Sequence, residues 1–193
     1  MKFKAFHGVG RSFRKHCPTF AKGYDLIADT WSGINNRSYE HLLWRNHWIT
    51  AAKFLVNHPE HIGAAAIFLD HSNPTLSFSA SASFANAVRM GIDISHVVPR
   101  LIESLWSSNN PIMDSAGNSL RGNIATCLCT YLNNCSPEKV EAVVKEIDSL
   151  IQSEKYTKEA EKNTVRYVEV AKELASILVV AEQQMTSLTR EAA

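Results

Sequence analysis

The chain has 193 residues, 45% apolar and 20% charged, and its twenty Lys and Arg nearly balance nineteen Asp and Glu. This is ordinary usage for one globular domain, or one domain with an extension, able to bury a large core without a metal or a disulfide. It excludes a helical membrane span, since the longest uncharged apolar stretch, Ile62 to Leu69, falls short of the roughly 18 residues a span needs.

The near-neutral total hides a division at the start of the chain. The first acidic residue is Asp25; before it lie Lys2, Lys4, Arg11, Arg14, Lys15 and Lys22, with His7 and His16, and with Phe3, Phe6, Phe13 and Phe20 between them. This head carries +6 and the remaining residues −5. A segregated cationic, aromatic segment points to an anionic partner or to the chain's own acidic helices, where Glu138, Glu141, Glu146, Asp148, Glu154, Glu159 and Glu161 lie. Nucleic acid or an anionic membrane surface is one such partner class for residues 1–24, with cations on phosphate and phenylalanines stacking or inserting. His7, Gly8, Gly10, Arg11 and Arg14 interrupt the apolar block of a secretory signal. The Arg-bearing, acid-free start shares composition with mitochondrial transit peptides but has little serine. Four cysteines (Cys17, Cys127, Cys129 and Cys135) without an export signal read as free thiols in a reducing compartment, the cytoplasm. A host-directed protein exported without a conventional signal would share this composition.

Residues 1–39 are punctuated by Gly8, Gly10, Pro18, Gly23 and Gly33 and read as a loop-rich segment with one short helix over Tyr24 to Trp31. Residues 40–193 read as the α-helical domain. The span 39–57 predicts one helix, with Leu43, Trp44, His47, Trp48, Ala51, Phe54 and Leu55 on one arc. Pro59 predicts a second, running to His71, with Ile62, Ala65, Phe68 and Leu69 inward and Glu60, Asp70 and His71 outward. Ser72-Asn73-Pro74 is a turn. From Leu76 to Phe84, apolar or alanine residues alternate with Ser77, Ser79, Ser81 and Ser83, which is a strand period. Alanine and serine are weak strand formers and no partner strand exists, so the expectation is a helix over 75–90. Gly91 ends it. Pro99 opens a helix to Ser107, residues 108–118 form a loop, and Asn118 caps a helix from Ser119 to Asn133. Ser136-Pro137-Glu138 predicts a helix start, followed by Val140, Val143, Val144, Ile147, Leu150 and Ile151 at helical spacing. After a break near Ser153 to Thr157, a longer helix runs to Thr189 with Val170, Leu174, Ile177, Leu178, Ala181, Met185 and Leu188 in its stripe. The class is therefore all-α: a single-domain bundle of about seven to eight helices with a long C-terminal helical pair.

Few residue patterns here carry chemistry. His41, His47, His58, His61 and His71 are clustered in sequence, but His61 and His71 lie about 15 Å apart along one helix, so no metal site is expected. His47, amid apolar neighbours, reads as a buried, hydrogen-bonded core histidine. On a helix Cys127 and Cys129 would point about 200° apart, poor geometry for sharing an ion. Gly117-Asn118-Ser119-Leu120-Arg121 opens a helix, whose free amides attract anions; Asn118, Ser119 and Arg121 are anion-binding candidates, together with the six head cations. No Walker loop, dinucleotide fingerprint, Gly-x-Ser-x-Gly elbow or His-Glu-x-x-His pair is present, and no cofactor is implied.

Two short resemblances bear on catalysis. Arg11 and His16, with four residues between them, resemble the Arg-x4–6-His signature of HEPN-type helical ribonucleases, which implies an arginine stabilising phosphate charge and a histidine moving a proton. The stretch Pro111 to Asn123 resembles the Gly-Asn loop of Fic-type nucleotidyl transferases, but Asn110 stands where the catalytic histidine would be and the spacing to Gly117-Asn118 departs, so that activity does not carry over. The leading expectation is a non-enzymatic module that binds another protein, with self-association through the C-terminal helices. The alternatives are a helical enzyme on a phosphate-bearing substrate (RNA or a nucleotide), and a nucleic-acid- or lipid-binding protein.

Overall fold

A computed structural model of the chain describes residues 39–106, 110 and 117–191. The basic head, the Tyr24–Trp31 helix and most of the 108–118 loop lie outside those residues. Among them are nine α-helices, seven of at least seven residues, and no strand. We label them α1 (Tyr39–Trp44), α2 (Trp48–Asn57), α3 (Ile62–Ala65), α4 (Pro74–Arg89), α5 (Val98–Ser104), α6 (Leu120–Leu132), α7 (Pro137–Ile151), α8 (Glu154–Lys162) and α9 (Thr164–Glu191). Short 3-10 turns cover Pro59–His61, Ala66–Asp70 and Ser95–Val97. None of the described helices is long and apolar enough to cross a membrane.

Helix α4 is the centre of the molecule. It packs against α6, α2, α1 and the 3-10 turn Ala66–Asp70, and every side chain from Leu76 to Ala85 is buried. A helix wrapped on all sides has no solvent face for polar residues, so its four buried serines must find partners inside. Ser77, Ser81 and Ser83 donate to the carbonyls of Pro74, Phe78 and Ala80, and Ser79 donates to Asn46 Oδ1 at 2.6 Å. Ser81 Oγ also accepts from Asn123 Nδ2, and Ser83 Oγ lies 2.5 Å from the Tyr39 hydroxyl. The alternating pattern is thus a helix whose small residues admit close neighbours on every side.

Several boundaries differ from the sequence reading. The helix predicted over 39–57 is two helices: Asn46 takes a left-handed conformation (φ 54°), which asparagine tolerates, and its side chain receives Ser79. The break turns His47 out to solvent, so it is not a core histidine. The helix predicted over 59–71 is a single α turn between two 3-10 turns, and its end, His71, is buried, with Nδ1 accepting the Asn73 N–H at 2.9 Å. Asn73 in turn caps α4 by accepting the Thr75 N–H. Gly91 ends α4 as expected, at φ 90°, where a side chain would be strained.

The C-terminal third forms the outer layer. Helix α9 lies against α6, α7 and α8, and α7 against α5. Val140, Val143 and Ile147 of α7 and Val170, Leu174, Ile177 and Ala181 of α9 enter the core, while Ile151 is exposed. The long helix is interrupted a second time, at Asn163, which opens α9 by accepting the Arg166 N–H on Oδ1 at 3.0 Å. Trp106, Tyr156 and Tyr167 meet edge to face at 5.0 and 5.4 Å, pinning α8 and α9 to the end of α5.

Candidate functional site

The described surface holds three arrangements that bear on function. The first is the predicted anion site. Ser119, not Asn118, caps α6: its Oγ accepts the Gly122 N–H at 3.1 Å, and Asn118 is exposed. The next free amide, on Arg121, goes to Asn110 Oδ1. The Arg121 side chain is 4% exposed, donating through Nε to the Leu105 carbonyl at 2.7 Å and through Nη1 to Glu169 Oε2 at 2.5 Å. Burial pulls this guanidinium down and Glu169 opposes that. The loop thus brings Ser119 and Arg121 together, but turns both toward groups of the protein itself. Of the remaining candidates, Lys2, Lys4, Arg11, Arg14, Lys15, Lys22 and His16 lie outside the described residues.

The second arrangement joins α4 to the α6–α7 turn. Asp93 accepts from Lys139 Nζ at 2.7 Å, from the Tyr131 hydroxyl at 3.0 Å and from the Ser95 N–H at 2.9 Å. Lys139, then these hydrogen bonds, hold its carboxyl far below the usual carboxylate range. With Arg89 and Cys135, the Asp93, Tyr131 and Lys139 side chains line a concavity of about 390 Å³. Burial pushes up the thiols of Cys127, Cys129 and Cys135 and the Tyr131 phenol. A thiol nucleophile needs the opposite shift. The cluster therefore works as a tie: one carboxylate holds the chain after α4 to α6 and to the first turn of α7.

The histidines do not converge. His58 and His61 flank Glu60 at 3.5 and 3.6 Å, with the Phe54 ring against both. Burial pulls the buried His61 and His71 down, toward the neutral form. Among the described residues no group of three His, Cys, Asp or Glu side chains is placed to hold a metal ion.

The third arrangement is the outer side of α9. Val165, Val168 and Val179 are 72, 59 and 51% exposed, and Ala175 lies exposed between them. On a helical wheel they fall about 160° from the buried stripe, so the side of α9 opposite the packed one carries three valines and an alanine among exposed Lys172, Glu182, Thr186 and Thr189. Exposed apolar residues on single positions need no explanation; three valines on one side of one helix make that side a candidate contact surface. The sequence reading followed only the inner stripe, because Lys172 and Glu182 on the outer one disguise its spacing. Comparison of the chain with protein-family models, curated proteins and solved structures found no match.

Proposed function

We propose that this chain is a protein-binding module that docks partners, a second copy of itself included, on the outer side of α9, and that the basic head adds a contact to an anionic surface. The observation that carries the reading is the set of exposed valines on the side of α9 opposite the stripe that the bundle buries. A helix that served only the core would carry polar residues at Val165, Val168 and Val179. The phosphate-acting alternative draws no support from the described residues, where the charge of Arg121 faces Glu169 and the thiols stay protonated.

The test is capture of binding proteins by the intact chain and by a Val165→Asp, Val168→Asp, Val179→Asp variant with an unchanged circular dichroism spectrum. Loss of the captured set in the variant supports the reading; an identical set overturns it. Repeating the capture without residues 1–24 isolates the head. Contacts to nucleic acid or anionic lipid through the head would weaken steeply between low and physiological salt.

A further inference from the structure

We propose that the outer side of α9 pairs with α9 of a second copy of this chain, antiparallel, about a two-fold axis level with Ile177. This rests on the reading of that side as a docking surface. Val165, Val168, Lys172, Ala175, Val179, Glu182, Thr186 and Thr189 follow one another in alternating steps of three and four, and all are exposed. That is the spacing of a two-helix seam, in which residues at a and d positions meet across the axis. The opposite stripe is already consumed by the bundle.

Charge selects the pairing. In an antiparallel seam each a residue meets a d residue of the other helix, so the allowed registers differ by whole heptads. With Ile177 level with the axis, Lys172 faces Glu182 of the second copy, and Glu182 faces its Lys172. Ala175 then faces Val179, Val168 faces Thr186 and Val165 faces Thr189. Sliding by one heptad sets Lys172 against Ala175 or Thr189, and Glu182 against Val165 or Val179, leaving each charge desolvated without a partner. A parallel pair sets lysine on lysine and glutamate on glutamate. Among the described residues no ion pair within the chain engages Lys172 or Glu182, so both are available. The seam would run over residues 165–189, about 37 Å of helix. With so few apolar layers it should be a reversible dimer of roughly micromolar Kd.

Sedimentation equilibrium of the full chain tests this, from about 1 to about 500 µM so as to bracket that Kd. Four proteins are compared: the unmodified chain, Lys172→Glu, Glu182→Lys and the double exchange. The unmodified chain should dimerise. Each single exchange places like charges at two symmetric levels and should weaken the dimer about tenfold, and the double exchange should restore it to within about twofold. A monomer at every concentration, or a double exchange no tighter than the singles, overturns the pairing. If the chain is monomeric yet the Val165→Asp, Val168→Asp, Val179→Asp variant loses captured proteins, only the second-copy occupant falls. If that variant also loses nothing, the docking reading falls with it.

Discussion

In α4, ten consecutive side chains from Leu76 to Ala85 are buried, whereas in α9 burial follows one stripe and valines on the far side reach 72% exposure. The two helices have opposite mismatches between polarity and position. Helix α4 hides four hydroxyls where water cannot reach, and meets their hydrogen bonds with its own carbonyls, Asn46, Asn123 and Tyr39. Helix α9 shows apolar surface that its own core does not use. In the first, each of the four serine hydroxyls is paired inside the fold. In the second, three valines remain open to solvent on the far side.

The largest effect separating the two helices should come from truncating their side chains. Phe84, 1% exposed on α4, should cost about 3–5 kcal/mol when replaced by Ala, against less than about 0.5 kcal/mol for Val179→Ala on α9. Urea unfolding reads both; similar costs would break the contrast. Next, Arg121→Met removes the buried guanidinium from the Leu105 carbonyl and Glu169, and should cost about 1–3 kcal/mol, since the half-exposed Glu169 can be rehydrated. Unchanged stability would mean that the bonds of Arg121 to the Leu105 carbonyl and Glu169 contribute nothing net to folding.

A third effect is a pH dependence at the edge of the α1–α4 packing. Burial pushes the Glu40 carboxyl from 4.5 up to about 7, with Trp44 Nε1 donating to it at 3.2 Å. The folded state thus holds a proton that the unfolded chain releases. Its contribution is complete below about pH 4.5 and is lost as pH rises through about 7, on the order of 3 kcal/mol. Glu40→Gln should flatten that part of the stability–pH curve; an unaltered slope would assign the dependence elsewhere. The smallest effect is on α9 again: Val168→Asp should leave unfolding within about 0.5 kcal/mol of the unmodified chain while abolishing association through that helix.

Much of the architecture was legible because its signals are local. Pro59, Pro99 and Pro137 sit in the first turn of helical segments where the sequence placed them, Pro74, read as part of a turn, is the first residue of α4, and Gly91 closes α4. What escaped depends on residues far apart in the chain. Asn46 breaks a continuous apolar arc because Ser79, 33 residues away, holds its side chain. His71 is inside and His47 outside because 3-10 turns and that break change the helical phase. The partner of Arg121 is 48 residues on, so the sequence offered a free cation where the fold has an ion pair. Asp93 was missed although Asp-x-Ser after Gly91 is a local turn signal, since its other partners, Tyr131 and Lys139, come from α6 and α7.

The position of Cys127 has a practical use. Its thiol sits wholly inside α6, between the central helix and the outer layer, and burial keeps it protonated. Alkylating reagents attack the thiolate, so this sulfur reacts only when α6 loses cover. Timed labelling of Cys127 followed by peptide mass analysis would act as a stopwatch for opening, with no probe added to the molecule.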